Sequence, residues 1–141
     1  MRKLTTILMG GMLLILVACG NGAAPTTPSV VNVEASDFRF EPATIELKAG
    51  QPVKLSFRNK GAVEHDFSVM AIQVANSGTP GHSGAGHDMS NMAMQPDLHT
   101  IAAAGQTSTL EFTPSQSGTY EFQCTVAGHK DAGMTGRLVV N

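Results

Sequence analysis

The sequence lacks the features that mark helical proteins and nucleic-acid-binding proteins. Outside the N-terminus, helix-favouring residues do not recur at the spacing of a helix face, whereas valine, threonine, phenylalanine and glycine recur throughout. This composition predicts an all-β fold. The 9 Lys and Arg residues form no basic patch and are outnumbered by 11 Asp and Glu residues. Nucleic acid is therefore not expected as a partner.

The sequence also lacks a hydrophobic run long enough to cross a membrane. Residues 4–17 are largely apolar and follow Arg2 and Lys3, but a membrane-spanning helix needs roughly 20 such residues. Residues 1–18 are therefore predicted to be a signal peptide. An uncleaved anchor or a buried core segment is the alternative interpretation.

Only two cysteines are present, Cys19 and Cys124. Two cysteines in an exported protein ordinarily suggest a disulfide, but here each has a separate use. Cys19 follows Ala18 where the apolar run ends, an arrangement that resembles the cleavage site of bacterial lipoproteins. Cys19 is then the first mature residue and its acylation site, which leaves Cys124 without a disulfide partner. The prediction is an exported lipoprotein, anchored at the periplasmic or extracytoplasmic face of a membrane.

The mature chain is predicted to contain one folded domain. Residues 19–29 are small and include proline, so they are predicted to be a tether, and residues 30–141 form the domain. Short alternating apolar segments separated by turn residues predict seven or eight strands, which suits a Greek-key β-sandwich. Residues 75–97 break this pattern and are predicted to be a long, flexible insertion rich in Gly, Met and His. Residues 98–103 are predicted to form a short edge strand.

The segment from Cys124 to Met134 carries the most specific chemistry. Apolar residues alternate with polar ones before it, and residues 138–140 are again apolar after it, so the segment is predicted to be a turn between two strands. It contains a thiol, the imidazole of His129 and a thioether. A thiolate, two imidazoles and a weak axial thioether are the ligands of a blue-copper electron-transfer site. The second imidazole is expected from His65, which begins a strand after a turn.

The order of one distant His and then Cys, His and Met in a C-terminal loop resembles that of the cupredoxins, the blue copper proteins that include plastocyanin, azurin and auracyanin. The resemblance extends over residues 30–141. It implies one type 1 copper ion with four ligands, His65, Cys124, His129 and Met134. It also implies a single-electron carrier for redox proteins of a respiratory or photosynthetic chain, which we expect to be a monomer.

The resemblance also assigns roles around the ligands. The second imidazole of a cupredoxin usually lies in an apolar patch where electrons enter or leave. Here that patch would consist of Ala62, Ala127, Gly128, Ala132 and Gly133. Many relatives have Asn directly after the first His, where this chain has Asp66. We expect the Asp66 carboxylate to bond the backbone or Thr125 near the metal, and its negative charge to favour copper(II).

Each ligand also has a simpler interpretation when taken alone. Cys124 could be an inert buried thiol, His129 a turn residue and Met134 a core residue, but their spacing in one loop favours the metal site. A Cys–His hydrolase is the alternative enzyme, and a structural or adhesive lipoprotein is a third class. With a single copper centre and no second metal to reduce oxygen or nitrite, a carrier is favoured and an enzyme is not expected.

The predicted insertion is rich in groups that bind copper. Thioethers select copper(I), and imidazole suits either oxidation state. The candidates for a second, weak copper(I) site are His82, His87, Met89, Met92, Met94 and His99. A solvated insertion without metal is the alternative. If the stretch does bind copper, the protein is a copper-handling lipoprotein, a chaperone or resistance protein, rather than an electron carrier.

Overall fold

The computed structural model describes residues 27–77 and 95–141. Ten strands account for most of these residues: β1 (Ser29–Ser36), β2 (Arg39–Glu41), β3 (Thr44–Leu47), β4 (Val53–Asn59), β5 (His65–Val69), β6 (Val74–Ser77), β7 (Leu98–Ala102), β8 (Thr107–Pro114), β9 (Gly118–Gln123) and β10 (Thr135–Val140). The all-β prediction is confirmed. Within the described ranges, no helix has the length and apolar character needed to span a membrane.

The strands form two five-stranded sheets with a shared core. One sheet has the order β2-β1-β4-β8-β6, and the other has the order β3-β10-β9-β5-β7. Neighbouring strands are antiparallel except for the pairs β1 with β4 and β3 with β10, which are parallel. From β2 to β9, successive strands lie in different sheets, so the chain crosses repeatedly over the core. This is the predicted Greek-key sandwich.

The described residues contain ten strands, where the sequence predicted seven or eight. The additional strands are short and lie at sheet edges: β2 has 3 residues and β6 has 4. Strands of this length have too few inward side chains to produce a recognisable alternation. Strand β6 pairs with β8 and includes residues 75–77, where the insertion was predicted to begin. Strand β7 is an edge strand, as predicted.

Alternating side chains from both sheets fill the space between them. On β4, Leu55 and Phe57 are buried while Arg58 is exposed, which is the period of a strand with one solvated face. Four aromatic rings meet in the core with centroids 4.7–6.3 Å apart, and they belong to Phe40, Phe57, Phe67 and Phe122. Aromatic pairs of this kind contribute about 0.5–1.5 kcal/mol each beyond the area they bury.

Two adjacent strands bring the predicted ligands to one end of the second sheet. Strands β5 and β9 are antiparallel, with Ser68 opposite Gln123. The beginning of β5 therefore lies beside the end of β9. His65 is the first residue of β5, and Cys124 directly follows β9. The topology thus places residues from distant parts of the chain at a common point.

Part of the sequence prediction lies outside the described residues. This part comprises the signal peptide at residues 1–18, Cys19, the tether up to residue 26 and residues 78–94 of the predicted insertion. The insertion residues concerned are His82, His87, Met89, Met92 and Met94.

Candidate metal centre

Three buried side chains, those of His65, Cys124 and His129, converge at this end of the second sheet. The Nδ1 atoms of the two imidazoles are 3.2 Å apart, and Cys124 Sγ lies 3.4 Å from Nδ1 of His129 and 3.9 Å from Nδ1 of His65. A triangle with these edges has a circumradius of about 2.0 Å, close to the distances at which imidazole nitrogen and thiolate sulfur bind zinc, another first-row metal. The three atoms are therefore spaced to bind one metal ion.

The loop between β9 and β10 is closed by its own backbone hydrogen bonds. The Cys124 N–H donates to the Met134 carbonyl at 3.1 Å, and the Met134 N–H donates to the His129 carbonyl at 3.0 Å. Gly128 and Gly133 have φ values of 82° and 98°, which residues with a side chain rarely adopt. These features bring Met134, whose side chain is fully buried, beside the other two loop ligands. Its role as the axial thioether ligand stays a prediction.

The turn before β5 is organised by the buried Asn59. Its Nδ2 donates to the carbonyls of Val63 at 2.7 Å and Ala102 at 2.8 Å, and its Oδ1 accepts the Gly61 N–H at 2.8 Å. A buried amide with this many partners has one orientation, so the turn leading to His65 is held in place. The sequence predicted a turn here but did not distinguish Asn59 from its neighbours.

Asp66 joins strand β5 to the ligand loop. Its Oδ1 accepts the Thr125 N–H at 2.6 Å, and its Oδ2 accepts the Thr125 hydroxyl. Asp66 directly follows His65, and Thr125 directly follows Cys124, so residues adjacent to two different ligands are bonded to each other. Hydrogen bonds of this kind orient the ligands of a metal site. The structure therefore brings together the two residues that the sequence singled out around the metal.

His99 lies on β7 beside Asp66. Its Nε2 is 3.5 Å from Asp66 Oδ2, its side chain is 13% exposed, and Nε2 has no hydrogen-bond partner in the described part of the chain. The other residues of the predicted accessory copper(I) site lie outside that part. The accessory site stays a prediction, and His99 is directed toward the carboxylate next to the first ligand.

Burial controls the protonation of the ligands. It raises the pKa of the Cys124 thiol to about 11, although the N–H groups of Asp66 and Val126 at the sulfur act in the opposite direction. Burial also lowers the pKa of His65, and the nearby His129 adds to this effect, whereas Asp37 and Asp66 oppose it. His65 is therefore a neutral imidazole near neutral pH, which is the form that binds metals. Cys124 must lose its proton to the solvent when a metal binds.

The donor atoms suit copper. Structural zinc sites usually have four strong ligands in a tetrahedron, whereas here two imidazoles and one thiol converge in a triangle. Two His and one Cys in a trigonal arrangement, with a Met nearby, are typical of blue-copper sites. The residues present fit a type 1 copper ion.

Two residues near the imidazoles were not anticipated from the sequence. Asp37 and Phe38 form the turn between β1 and β2, and Phe38 is 51% exposed with a φ of 63°. The Phe38 ring packs edge-on against His129 with centroids 5.4 Å apart, and Asp37 Oδ1 lies 3.7 Å from Nε2 of His65. No motif or spacing connects this turn with ligands so much later in the chain. In the sequence, Phe38 and Phe40 lie on either side of Arg39, and this pattern predicted no role at the metal site.

The residues of the predicted apolar patch are all exposed, and they are Ala62, Ala127, Gly128, Ala132 and Gly133. His129 is 9% exposed, whereas His65 and Cys124 have no exposed surface. His129 is therefore the one of these three residues that reaches the protein surface.

The chain matches the model of the copper-binding proteins of the plastocyanin/azurin family over residues 28–141. The protein belongs to this family, so the predicted resemblance is confirmed. Together with the converging side chains of His65, Cys124 and His129, the family identifies copper as the cofactor of this site.

Individual relatives extend the similarity. The chain is 31% identical over 120 residues to the copper-resistant cuproprotein CopI of Rubrivivax gelatinosus, which covers 84% of this chain and 70% of that protein. It is 28% identical over 163 aligned positions to Auracyanin-A of Chloroflexus aurantiacus, which covers 100% of this chain and 98% of that protein. The solved structure of auracyanin A, described as a "blue" copper protein, has a TM-score of 0.59 at 25% identity and covers 82% of this chain and 100% of its own. The solved structure of auracyanin B has a TM-score of 0.60 at 26% identity, and the match covers 84% of this chain and 93% of that chain.

Proposed function

We propose that the protein is a single-electron carrier that works at the outer face of a bacterial membrane. The observation that carries this proposal is the triangle formed by His65 Nδ1, His129 Nδ1 and Cys124 Sγ, with edges of 3.2–3.9 Å. Copper bound there would supply one-electron exchange between its copper(I) and copper(II) states. The similarity to auracyanin A, a "blue" copper protein, supports a blue-copper site, which is a kind of site used for electron transfer.

The chain's own contribution is a ligand arrangement that changes little with oxidation state. His65 begins a strand whose five residues are all buried. Asn59 holds the turn before it, and Asp66 bonds the strand to Thr125 in the ligand loop. Buried hydrogen-bond networks with satisfied partners make a site rigid. A rigid site needs little rearrangement when an electron arrives or leaves.

His129 provides the route between the site and the surface. It is partly exposed, and it lies in the same loop as four exposed residues of the predicted apolar patch, on which we propose that redox protein partners dock. His65 and Cys124 are completely buried, so a substrate cannot reach them. We therefore infer a carrier rather than an enzyme.

A redox titration tests the carrier function. The copper-loaded full chain is reduced with ascorbate and reoxidised with ferricyanide over repeated cycles. We expect one electron per chain, with the copper content and the blue colour unchanged from cycle to cycle. A second series of cycles includes a copper(I) chelator. Transfer of the copper to this chelator at the first reduction would contradict the proposal.

Copper handling is the second candidate function, and the similarity to CopI, which is named as a copper-resistant cuproprotein, favours it. This function would use the Met- and His-rich stretch to bind a second, weaker copper(I) equivalent. Changing Met89, Met92 and Met94 together to Leu would then remove that equivalent and leave the blue site unchanged. Copper(I) competition titrations on both proteins measure the stoichiometry. One equivalent in each protein would remove the main support for copper handling.

We also propose that the protein is exported and anchored through Cys19. The support is the apolar run that ends in Leu16, Val17, Ala18 and Cys19. Each buried methylene of an acyl chain contributes about 0.8 kcal/mol, so two or three chains anchor stably where one does not. Intact mass of the membrane-extracted protein should show a diacylated or triacylated chain beginning at Cys19. An unmodified chain beginning at Met1 would contradict the anchor.

A further inference from the structure

The turn between β1 and β2 contacts both imidazole ligands from outside the site. Asp37 Oδ1 faces Nε2 of His65 at 3.7 Å, and the Phe38 ring packs edge-on against the ring of His129. We propose that Asp37 and Phe38 form an outer clamp, with Asp37 orienting His65 and Phe38 restraining His129. This inference depends on the copper site itself and not on whether the site carries electrons.

The buried Nε2 of His65 requires a hydrogen-bond partner. His65 faces Cys124 and His129 through Nδ1, so a neutral ring that binds metal through Nδ1 has its proton on Nε2. Nε2 is buried and has no hydrogen-bond partner among the described residues, although buried polar groups are almost always paired. Asp37 Oδ1, at 3.7 Å, is about 0.8 Å beyond the usual N–H···O distance. A small shift of the Asp37 side chain would therefore complete the bond.

The neighbouring turn is shaped to allow this approach. A Cβ on Gly61 would lie 2.6 Å from His65 Nε2 and 2.8 Å from Asp37 Oδ1, so any other residue at this position would push the two groups apart. The Ala62 N–H donates to the same Asp37 oxygen at 3.3 Å, which keeps the carboxylate near His65. Glycine at position 61 and the adjacent N–H thus both favour the contact.

A carboxylate at the second nitrogen of a metal-binding His has a known effect. It determines the tautomer and the ring orientation, and it raises the basicity of the ligand nitrogen. A more basic ligand and a nearby negative charge stabilise the doubly charged copper(II) more than copper(I). Asp37 is therefore expected to increase the preference of the site for copper(II).

Phe38 has an unusual backbone conformation for a bulky residue. Its φ of 63° lies in the left-handed region, where side chains other than those of Asn, Asp and His are rare. Strained residues cluster at functional sites because the surrounding structure imposes the conformation. Here the conformation places the ring against His129, the partly exposed ligand. The ring limits the movement of the imidazole and covers part of it from solvent.

Copper affinities of the full chain test the role of Asp37. Competition with EDTA for copper(II) and with bathocuproine disulfonate for copper(I) gives the ratio of the two affinities. Asp37→Asn should lower this ratio about tenfold, within the usual effect of changing a group that supports a metal ligand. A tenfold change equals an increase of about 59 mV in the one-electron reduction potential.

Asp131→Asn is the matched control for charge. Asp131 is exposed in the ligand loop, and its carboxylate has no hydrogen bond or ion pair with other described residues. The affinity ratio of Asp131→Asn should stay within about twofold of that of the original chain. Water screens both exposed carboxylates, but Asp37, whose side chain is 59% exposed, is the one of the two that faces an imidazole ligand, at 3.7 Å. Gly61→Ala keeps all charges and separates Asp37 from His65, so it should lower the ratio as Asp37→Asn does. An unchanged ratio in Asp37→Asn or Gly61→Ala, or an equal change in Asp131→Asn, would overturn the role of Asp37.

The rate of copper(II) loss to excess EDTA tests the role of Phe38. Phe38→Gly removes the ring and suits the positive φ, so the fold is not destabilised. We expect copper loss to become about tenfold faster, in line with the effect of losing a group that supports a metal ligand. Val63→Ala is the control, since Val63 is 50% exposed and lies two residues before His65. Equal rates of copper(II) loss from Phe38→Gly and Val63→Ala would overturn the role of Phe38. Neither the affinity ratio nor the rate of copper loss depends on electron transfer to a partner.

Discussion

Strand β5 and the loop between β9 and β10 both supply ligands, but they are held in place by different forces. All five residues of β5 are buried, and the strand lies between β7 and β9, so core packing and strand pairing position His65. In the loop, the side chains of Cys124, His129 and Met134 are buried while residues 127, 128 and 130–133 are exposed. Local backbone bonds, glycine conformations and contacts with Asp66 and Phe38 position the loop ligands. The strand region therefore depends on the core, and the loop region depends on a few polar contacts and the metal.

The largest expected effect comes from damaging the core beneath the strand region. Phe67 lies two residues after His65, is fully buried and stacks on Phe122 with centroids 4.7 Å apart. Phe67→Ala should lower the free energy of unfolding by about 3–5 kcal/mol, because it removes apolar contacts and leaves a cavity. Urea denaturation of the metal-free protein measures this change. Ala127→Gly in the exposed loop should cost less than about 1 kcal/mol, and equal losses in the two variants would remove the distinction between the regions.

The pH dependence of the metal-free protein sharpens the comparison from the loop region. Burial raises the pKa of Cys124 from 9.0 to about 11, so between these values the folded chain keeps a proton that the unfolded chain loses. Stability therefore falls as the pH rises through this window. At about 1.4 kcal/mol per pKa unit, the loss is on the order of 3 kcal/mol at most. Cys124→Ser lacks this contribution, and a difference in stability between the two chains that stays constant from about pH 8 to 11 would contradict it.

Asp66 is the connection between the two regions, so its removal should affect both. Asp66→Ala leaves the Thr125 N–H and hydroxyl without their partner and should cost about 1–3 kcal/mol. Asp66→Asn retains an oxygen for the N–H and removes the negative charge. We expect it to keep most of the stability and to raise the reduction potential. Thermal unfolding and potentiometry on both variants measure these effects. If Asp66→Asn loses as much stability as Asp66→Ala, the hydrogen bond from the Thr125 N–H is not the contact that stabilises the fold.

The smallest effect is expected at the surface of the loop. Lys130 follows His129 and bonds Gln123 Oε1 and Glu121 Oε1, at 2.5 and 3.0 Å. The side chains of Lys130 and Glu121 are 51% and 56% exposed. Lys130→Met should lower the free energy of unfolding by less than about 1 kcal/mol, because exposed ion pairs are screened by water. Added salt should reduce even this difference, and a loss that persists in high salt would point to a buried role.

The sequence was informative wherever the chemistry is local. The spacing of Cys124, His129 and Met134 in one turn and the position of His65 at the start of a strand predicted the ligand set. Asp66 was recognised because it directly follows a ligand, at a position where many members of the family that the sequence resembles have Asn. Strand alternation predicted the sandwich, although β2 and β6 were too short to recognise.

The sequence did not predict contacts that depend on the packing of distant turns. Asp37 and Phe38 approach the imidazoles only because the β1–β2 turn lies at the same end of the sandwich as the ligand loop. A left-handed Phe has no sequence signature, since this conformation is normally associated with Gly or Asn. Gly61 resembles any turn glycine in the sequence, and its contact with both Asp37 and His65 appears only in three dimensions.

The visible absorption spectrum of the copper-loaded full chain, recorded beside that of Cys124→Ser at equal copper content, tests the central claim most directly. We expect one copper ion per chain at the blue site and an intense thiolate-to-copper charge-transfer band that is absent from Cys124→Ser. Met134→Gln should keep a coloured site with a lower reduction potential, because the axial ligand tunes the potential. A full band in Cys124→Ser, or a colourless copper-loaded original chain, would contradict a copper site formed by His65, Cys124 and His129.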